Sequence, residues 1–270
     1  LDKASPIGVF DSGVGGLSIL KALQAQMPHE QFVYVADSSH APYGERDADF
    51  VQQRADHLLH LMREQHQVKA LVVACNTATA LAIQQLRTDH PEVDFFGVEP
   101  AVKPAAALSQ TKRVGVMATP ATLGSEKFAQ LIQSLGEPTE FVLQGCEGLA
   151  DAIEQQCQDG DDAPVRALCE KYVQAMGGFG NQTGEIDTLV LGCTHYPFAS
   201  HELQSLAGGA VRLIEPGGPV AKRVQQVLLE KGLTGQADAG QLQLLATDET
   251  LNLQEAARHW LGLSQPVLRV

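Results

Sequence analysis

Short apolar runs alternate along this chain with longer segments of helical period, and that alternation restricts the fold more than any other feature. Residues 7–10, 32–36, 70–74 and 95–98 read as strands. Between them lie helical patterns at 17–26, 47–67 and about 77–87, the longest carrying Val51, Leu58, Leu59, Leu61 and Met62 on one face. A strand–helix–strand rhythm of this kind builds parallel sheets covered by helices. After Glu99-Pro100, where X-Pro disfavours helix, the rhythm begins again. Strands are expected at 114–118, 188–191, 211–214 and 242–245, and helices at 125–135, 149–156, 165–176 and 220–231. At 270 residues and roughly 150 per domain, the expectation is two α/β domains.

Two of these strands end in the same way. Leu71-Val72-Val73-Ala74-Cys75-Asn76-Thr77 and Leu189-Val190-Leu191-Gly192-Cys193-Thr194-His195 each give three large aliphatics, one small residue, a cysteine and two polar residues. Parallel sheets bind ligands at the carboxyl ends of their strands. A cysteine there, at the start of a helix, is expected to be favoured as thiolate, with Asn76, Thr77 and Thr194 as capping and anion-binding neighbours. A lone cysteine at a strand end is more often a small buried hydrophobe. Two in matching turns favour function. Cys146, Cys157 and Cys169 have no such setting and read as structural.

A third turn, Phe10-Asp11-Ser12-Gly13-Val14-Gly15-Gly16, invites a nucleotide reading, but G-x-G-x-x-G is not met because residue 18 is Ser. Asp11 also carries the wrong sign for a pyrophosphate. It suits an ammonium group or support of proton transfer, or serves as a simple N-cap. Ala41-Pro42-Tyr43-Gly44 is a turn that offers a hydroxyl and a flat wall.

Taken together, these residues resemble glutamate racemase of bacterial cell-wall synthesis. The resemblance rests on Gly8 through Leu17, Pro42-Tyr43-Gly44, Ala74-Cys75-Asn76-Thr77-Ala78 and Leu191-Gly192-Cys193-Thr194-His195-Tyr196-Pro197, in that order. It implies two similar doubly wound parallel-sheet domains facing a cleft: 1–98 plus 210–270, and 99–209. It further implies Cys75 and Cys193 as the acid–base pair, Cys75 acting on D-glutamate and Cys193 on L-glutamate, with Asp11, His195 and Glu154 assisting. Asp11, Ser12, Pro42, Tyr43, Gly44, Asn76, Thr77, Thr119, Thr122, Thr194 and His195 would then hold the substrate. Ala41, Thr79 and Glu215-Pro216 depart from that family's usual residues without removing a catalytic group.

The implied chemistry needs no cofactor, and no clustered metal ligands or C-x-x-C pair are visible. Nineteen basic against 32 acidic residues give a net charge of −13, which repels nucleic acid and anionic membranes. The first twenty residues lack a basic n-region with an apolar core, and no apolar run approaches 18 residues, so the expected compartment is the cytoplasm. The resemblance leaves open a homodimer and activation by a cell-wall precursor. Aspartate racemisation, cysteine hydrolase or redox chemistry, and a two-lobed binding protein are the rival readings. His195 after Cys193-Thr194, where aspartate racemases typically carry Glu, favours glutamate, and the second cysteine turn goes unexplained by a hydrolase.

Overall fold

The computed structural model describes residues 2–135, 138–235 and 240–270. The chain divides into two compact units, Leu1–Val98 with Gly217–Val270, and Glu99–Pro216. The first unit opens with β1 (Ile7–Asp11), α1 (Leu17–Gln26), β2 (Phe32–Ala36), α2 (Ala48–His66), β3 (Ala70–Val73), α3 (Asn76–Leu81), α4 (Ile83–Asp89) and β4 (Phe95–Gly97). The second holds α5 (Val102–Leu108), β5 (Arg113–Ala118), α6 (Pro120–Leu123), α7 (Glu126–Gln133) and β6 (Glu140–Gly145), then α8 (Leu149–Asp159), α9 (Ala163–Met176), β7 (Thr188–Leu191), α10 (Ser200–Ala207) and β8 (Arg212–Ile214). The chain then completes the first unit with α11 (Gly217–Glu230), β9 (Leu242–Ala246), α12 (Thr250–Leu261) and β10 (Val267–Arg269).

Among the described residues every strand pairing is parallel. The first sheet runs β10-β9-β2-β1-β3-β4 and the second β6-β5-β7-β8. Both therefore contain one core order, in which the unit's first strand lies between its second and third. The chain reverses direction across the sheet beside that first strand, and open α/β sheets bind ligands at this crevice.

Helix α2 shows how the sequence fixes a layer. Asp47 caps its start, the side chain accepting from the Phe50 N–H at 2.8 Å. Val51, Ala55, Leu58, Leu59 and Met62 recur at helical spacing and are fully buried. They pack with Phe10, Val35, Leu71 and Val73 from three strands, each large side chain contributing about 1.5–3 kcal/mol of apolar burial. Gln67 stops the helix in the left-handed region at φ 53°. The second unit has an equivalent core of Val102, Ala105, Val114, Val116, Phe128 and Val190.

Two expectations need correction. Residues 212–214 pair with β7, so the stretch 210–216, assigned by resemblance to the first domain, belongs to the second unit. The helix expected over 77–87 is two helices, broken at Ala82, whose backbone (φ −117°, ψ −27°) leaves the regular helical geometry. Among the described residues, no helix is long and apolar enough to cross a membrane.

Candidate active site

Parallel register brings the first cysteine to its neighbours. Phe10 pairs with Val73, and the Ala74 N–H donates to the Phe10 carbonyl at 2.7 Å. Two residues past the pair stand Ser12 on one strand end and Cys75 on the other, with Oγ and Sγ 3.7 Å apart. Cys75 is the N-cap of α3 and accepts from the Ala78 N–H at 3.4 Å. Asp11 is buried at the end of β1 and accepts from the Gly16 N–H at 2.7 Å. A Cβ on Gly16 would lie 2.7 Å from the Asp11 Cβ and 2.9 Å from the Tyr34 hydroxyl. The glycine turn thus serves close packing around Asp11, and a phosphate is not needed to explain it.

The expected thiolate is not what this setting favours in the free protein. Burial, joined by the neighbouring Asp11 charge, pushes the Cys75 thiol up to about 12, and the Ala78 and Ser12 hydrogen bonds offset only part of that. The setting favours thiol over thiolate at neutral pH. The N-terminus of a six-residue helix is too weak to outweigh desolvation here.

Around it lie the other residues of the first unit. Asn76 donates to the Val98 carbonyl at 3.2 Å, which fixes its amide orientation. Its Oδ1 is buried without a hydrogen-bond partner among the described residues. Thr77 is buried in the first turn of α3. Tyr43 is buried within a short 3-10 turn, whereas Pro42 and Gly44 beside it are exposed, and nothing crowds a Cβ at Gly44. The Tyr43 hydroxyl donates to Asp37 Oδ2 at 2.5 Å. Burial raises its pKa far out of the ordinary range, and the charges of Asp37 and Cys75 add to the effect.

Asp37 is a site residue that sequence reasoning missed. It follows β2, is fully buried, and takes both arms of the Arg54 guanidinium at 2.9 Å. His40 and Thr247 also reach its Oδ1 at 3.0 Å. Burial works against the carboxylate, but the Arg54 and Tyr43 hydrogen bonds hold its pKa below the usual range. This network fixes the Tyr43 turn. Its partners are 17 and 210 positions away along the chain, and no local motif announces it.

The second unit repeats the register. Met117 pairs with Leu191, the Gly192 N–H donates to the Met117 carbonyl at 2.7 Å, and the next step brings Thr119 and Cys193 to one level. A Cβ at Gly192 would lie 2.8 Å from that same carbonyl, so the small residue before the cysteine is required. The turn then departs from its counterpart. A 3-10 helix over Tyr196–Ala199 follows, and α10 begins only at Ser200, so Cys193 does not cap an α-helix as expected. Its neighbour is His195, whose Nδ1 lies 3.7 Å from Sγ and whose Nε2 lies 2.6 Å from Glu154 Oε1 on α8. Burial lowers the His195 pKa, but the hydrogen bonds to Cys193 and Glu154 outweigh it and hold the imidazole well above its usual value. Thr119 caps α6 and shares a 3.0 Å hydroxyl contact with Thr122; Thr194 is buried beside Cys193.

Each cysteine therefore has its own titratable neighbour, a carboxylate at Cys75 and an imidazole–carboxylate pair at Cys193. Among the described residues, the groups spaced to hold a metal ion include neither cysteine.

The model of the Asp/Glu/Hydantoin racemase family matches residues 17–223. The chain is 43% identical over 240 residues to a glutamate racemase of Stutzerimonas stutzeri, covering 89% of this chain and 88% of the relative. A crystal structure of a glutamate racemase isoform from Bacillus anthracis superposes with a TM-score of 0.88 at 29% identity, covering 99% and 98% of the two chains. The Escherichia coli glutamate racemase, solved with L-glutamate and the activator UDP-MurNAc-Ala, gives 0.84 at 26% identity over 98% and 97%. The chain belongs to the Asp/Glu/Hydantoin racemase family and, within it, to the glutamate racemases.

Proposed function

We propose that this protein interconverts L- and D-glutamate in the cytoplasm without a cofactor, supplying D-glutamate for peptidoglycan. The observation that carries the reading is the shared strand order, with one cysteine at the same topological position of each sheet. Inverting Cα requires a base on one face and an acid on the other, and a thiolate–thiol pair fills both roles.

The surroundings of the two sulfurs support a division of labour. Cys193 takes the proton from L-glutamate, with His195 accepting charge and Glu154 holding the imidazolium. Cys75, a thiol at rest, delivers a proton to the other face. In the reverse direction Cys75 must first ionise, which the Asp11 charge opposes until a substrate ammonium group neutralises it. The unpartnered Asn76 Oδ1 is an acceptor for that ammonium. Thr119, Thr122 and Thr194 offer hydroxyls to the carboxylates, while Ser12 and the Pro42-Tyr43-Gly44 turn bound the site near Cys75. The Escherichia coli relative's activator extends the reading to activation by a nucleotide-linked cell-wall precursor.

A chiral assay with L-glutamate and L-aspartate, no cofactor added, tests the reaction and the substrate together. In D₂O the enantiomer formed should carry deuterium from its first appearance. Cys75→Ser and Cys193→Ser should each abolish most turnover. Early product retaining the substrate hydrogen, or clear preference for aspartate, refutes the reading.

A further inference from the structure

Away from the cysteines, three ligand-type side chains converge on the outer face of the first unit. Asp56 and His60 stand one turn apart on α2, and His90 follows α4 as its C-cap. The Asp56 carboxylate meets both rings, Oδ1 lying 2.7 Å from His90 Nε2 and Oδ2 lying 3.3 Å from His60 Nδ1. The two imidazoles are 5.4 Å apart at an interplanar angle of 78°, and the three ligand atoms all lie within 4.8 Å of one another. We propose that Asp56, His60 and His90 form a binding site for a divalent transition-metal ion of the Zn²⁺ class, tying α2 to the end of α4.

Coordination geometry supports this. Metal–ligand bonds of about 2.0–2.1 Å in a tetrahedron place neighbouring ligand atoms about 3.3 Å apart. His60 Nδ1 already stands at that distance from Asp56 Oδ2. His90 Nε2 meets the other oxygen, Oδ1, at hydrogen-bond length, so a metal held through Oδ2 requires the carboxylate to turn and that hydrogen bond to give way to coordination. Asp56 and His60 have side chains about half exposed, at 47% and 52%, so both are free to make that adjustment and a water can take the fourth position. His60 Nδ1 also contacts the Asp56 carbonyl at 2.9 Å. That carbonyl keeps its regular helical partner when the ring turns to a metal, so the loss is small.

Ligand type narrows the ion. Two imidazoles with one carboxylate select Zn²⁺, Ni²⁺, Co²⁺ or Cu²⁺ over Mg²⁺ and Ca²⁺, which require mostly oxygen ligands. One turn further along α2, Arg63 pairs with Glu92, so its positive charge is compensated beside the site. Position separates this site from the chemistry. Residue 90 lies in the connection leading into the amino end of β4, whereas Asp11 and Cys75 occupy the carboxyl ends of β1 and β3.

The test is calorimetric titration of zinc chloride into chelator-stripped full-length protein, alongside His60→Ala and His90→Ala. The wild type should bind one equivalent more than either variant, or each variant should bind that equivalent at least about tenfold more weakly. Zinc should raise the melting temperature of the wild type more than that of either variant. Zinc taken up by the active-site cysteines would appear in all three proteins and cancels from the comparison. His60 is exposed, so His60→Ala leaves the fold intact, and racemisation by the metal-free variants at the wild-type rate verifies this. Equal stoichiometry and affinity in all three proteins, or loss in His60→Ala alone, overturns the proposal and leaves a hydrogen-bonded Asp–His cluster.

Discussion

Replacing Glu154 by glutamine tests the proton chain beside Cys193 with little change of shape. The carboxylate lies 2.6 Å from His195 Nε2, a charge-assisted contact of a kind worth about 1.5–3 kcal/mol. Solvent reaches about a third of the Glu154 side chain, 34%, which screens the charge and puts the loss at the lower end. At 1.4 kcal/mol per factor of ten, kcat/KM should fall about 10- to 30-fold. Enantiomers have equal free energies in water, so the fall must be equal in both directions. The asymmetry appears instead in isotope effects. If Cys193 breaks the Cα–H bond of L-glutamate, slowing that transfer should enlarge the primary isotope effect with 2-deuterated L-glutamate and diminish it with the D enantiomer. Circular dichroism in both directions, with protiated and deuterated substrates, measures all of this. A kcat/KM within twofold of wild type, or an isotope effect enlarged with D-glutamate instead, refutes the assigned role.

Further outcomes are expected elsewhere. With its thiol pushed up to about 12, Cys75 should react with iodoacetamide at pH 8 roughly a thousandfold more slowly than an unperturbed cysteine, and mass-spectrometric mapping at a peptide-like rate would contradict this. Asp37→Asn leaves Arg54 partly buried without its counter-charge and should cost about 3 kcal/mol of stability in denaturant titration, with weakened glutamate binding as the Tyr43 turn loosens. Asp187 accepts from Ser109, Gln110, Thr111 and Thr188; burial opposes its ionisation, but those donors hold it down to about 2. Its folded pKa lies below the unfolded value, so it contributes about 2.5 kcal/mol above pH 5 that is lost as the pH falls toward 2. Asp187→Asn should flatten that part of the pH–stability curve, and an unchanged acid limb would show the network carries no such energy.

Strands buried on both faces were legible because their apolar runs are continuous, as in Leu71-Val72-Val73 and Leu189-Val190-Leu191. Strand β6 was not expected. It is an edge strand whose residues are all exposed or half-buried, and its three apolar residues Phe141-Val142-Leu143 stand between polar neighbours outside the helix–strand rhythm read from the sequence. Helix α5 was hidden by Pro104 in its first turn, which the backbone tolerates there. Within the candidate site, each cysteine and its following residues were visible as local strings. Their electrostatics were not. Helix-terminus reasoning called for a thiolate at Cys75, and only the three-dimensional burial beside Asp11 reverses that.

The repeated strand order has a stereochemical consequence. A reaction that interconverts mirror images would be served most evenly by two mirror-image half-sites. L-amino acids cannot build them: β–α–β crossovers are right-handed almost without exception, so two units of one topology share one hand. A one-handed scaffold therefore cannot meet the two enantiomers with half-sites that are exact mirror images. The surroundings of the two sulfurs do differ, with Asp11 beside Cys75 and His195 with Glu154 beside Cys193. Separate kcat and KM values are free to diverge between the enantiomers, and a rigid chiral inhibitor should distinguish the two ends of the reaction.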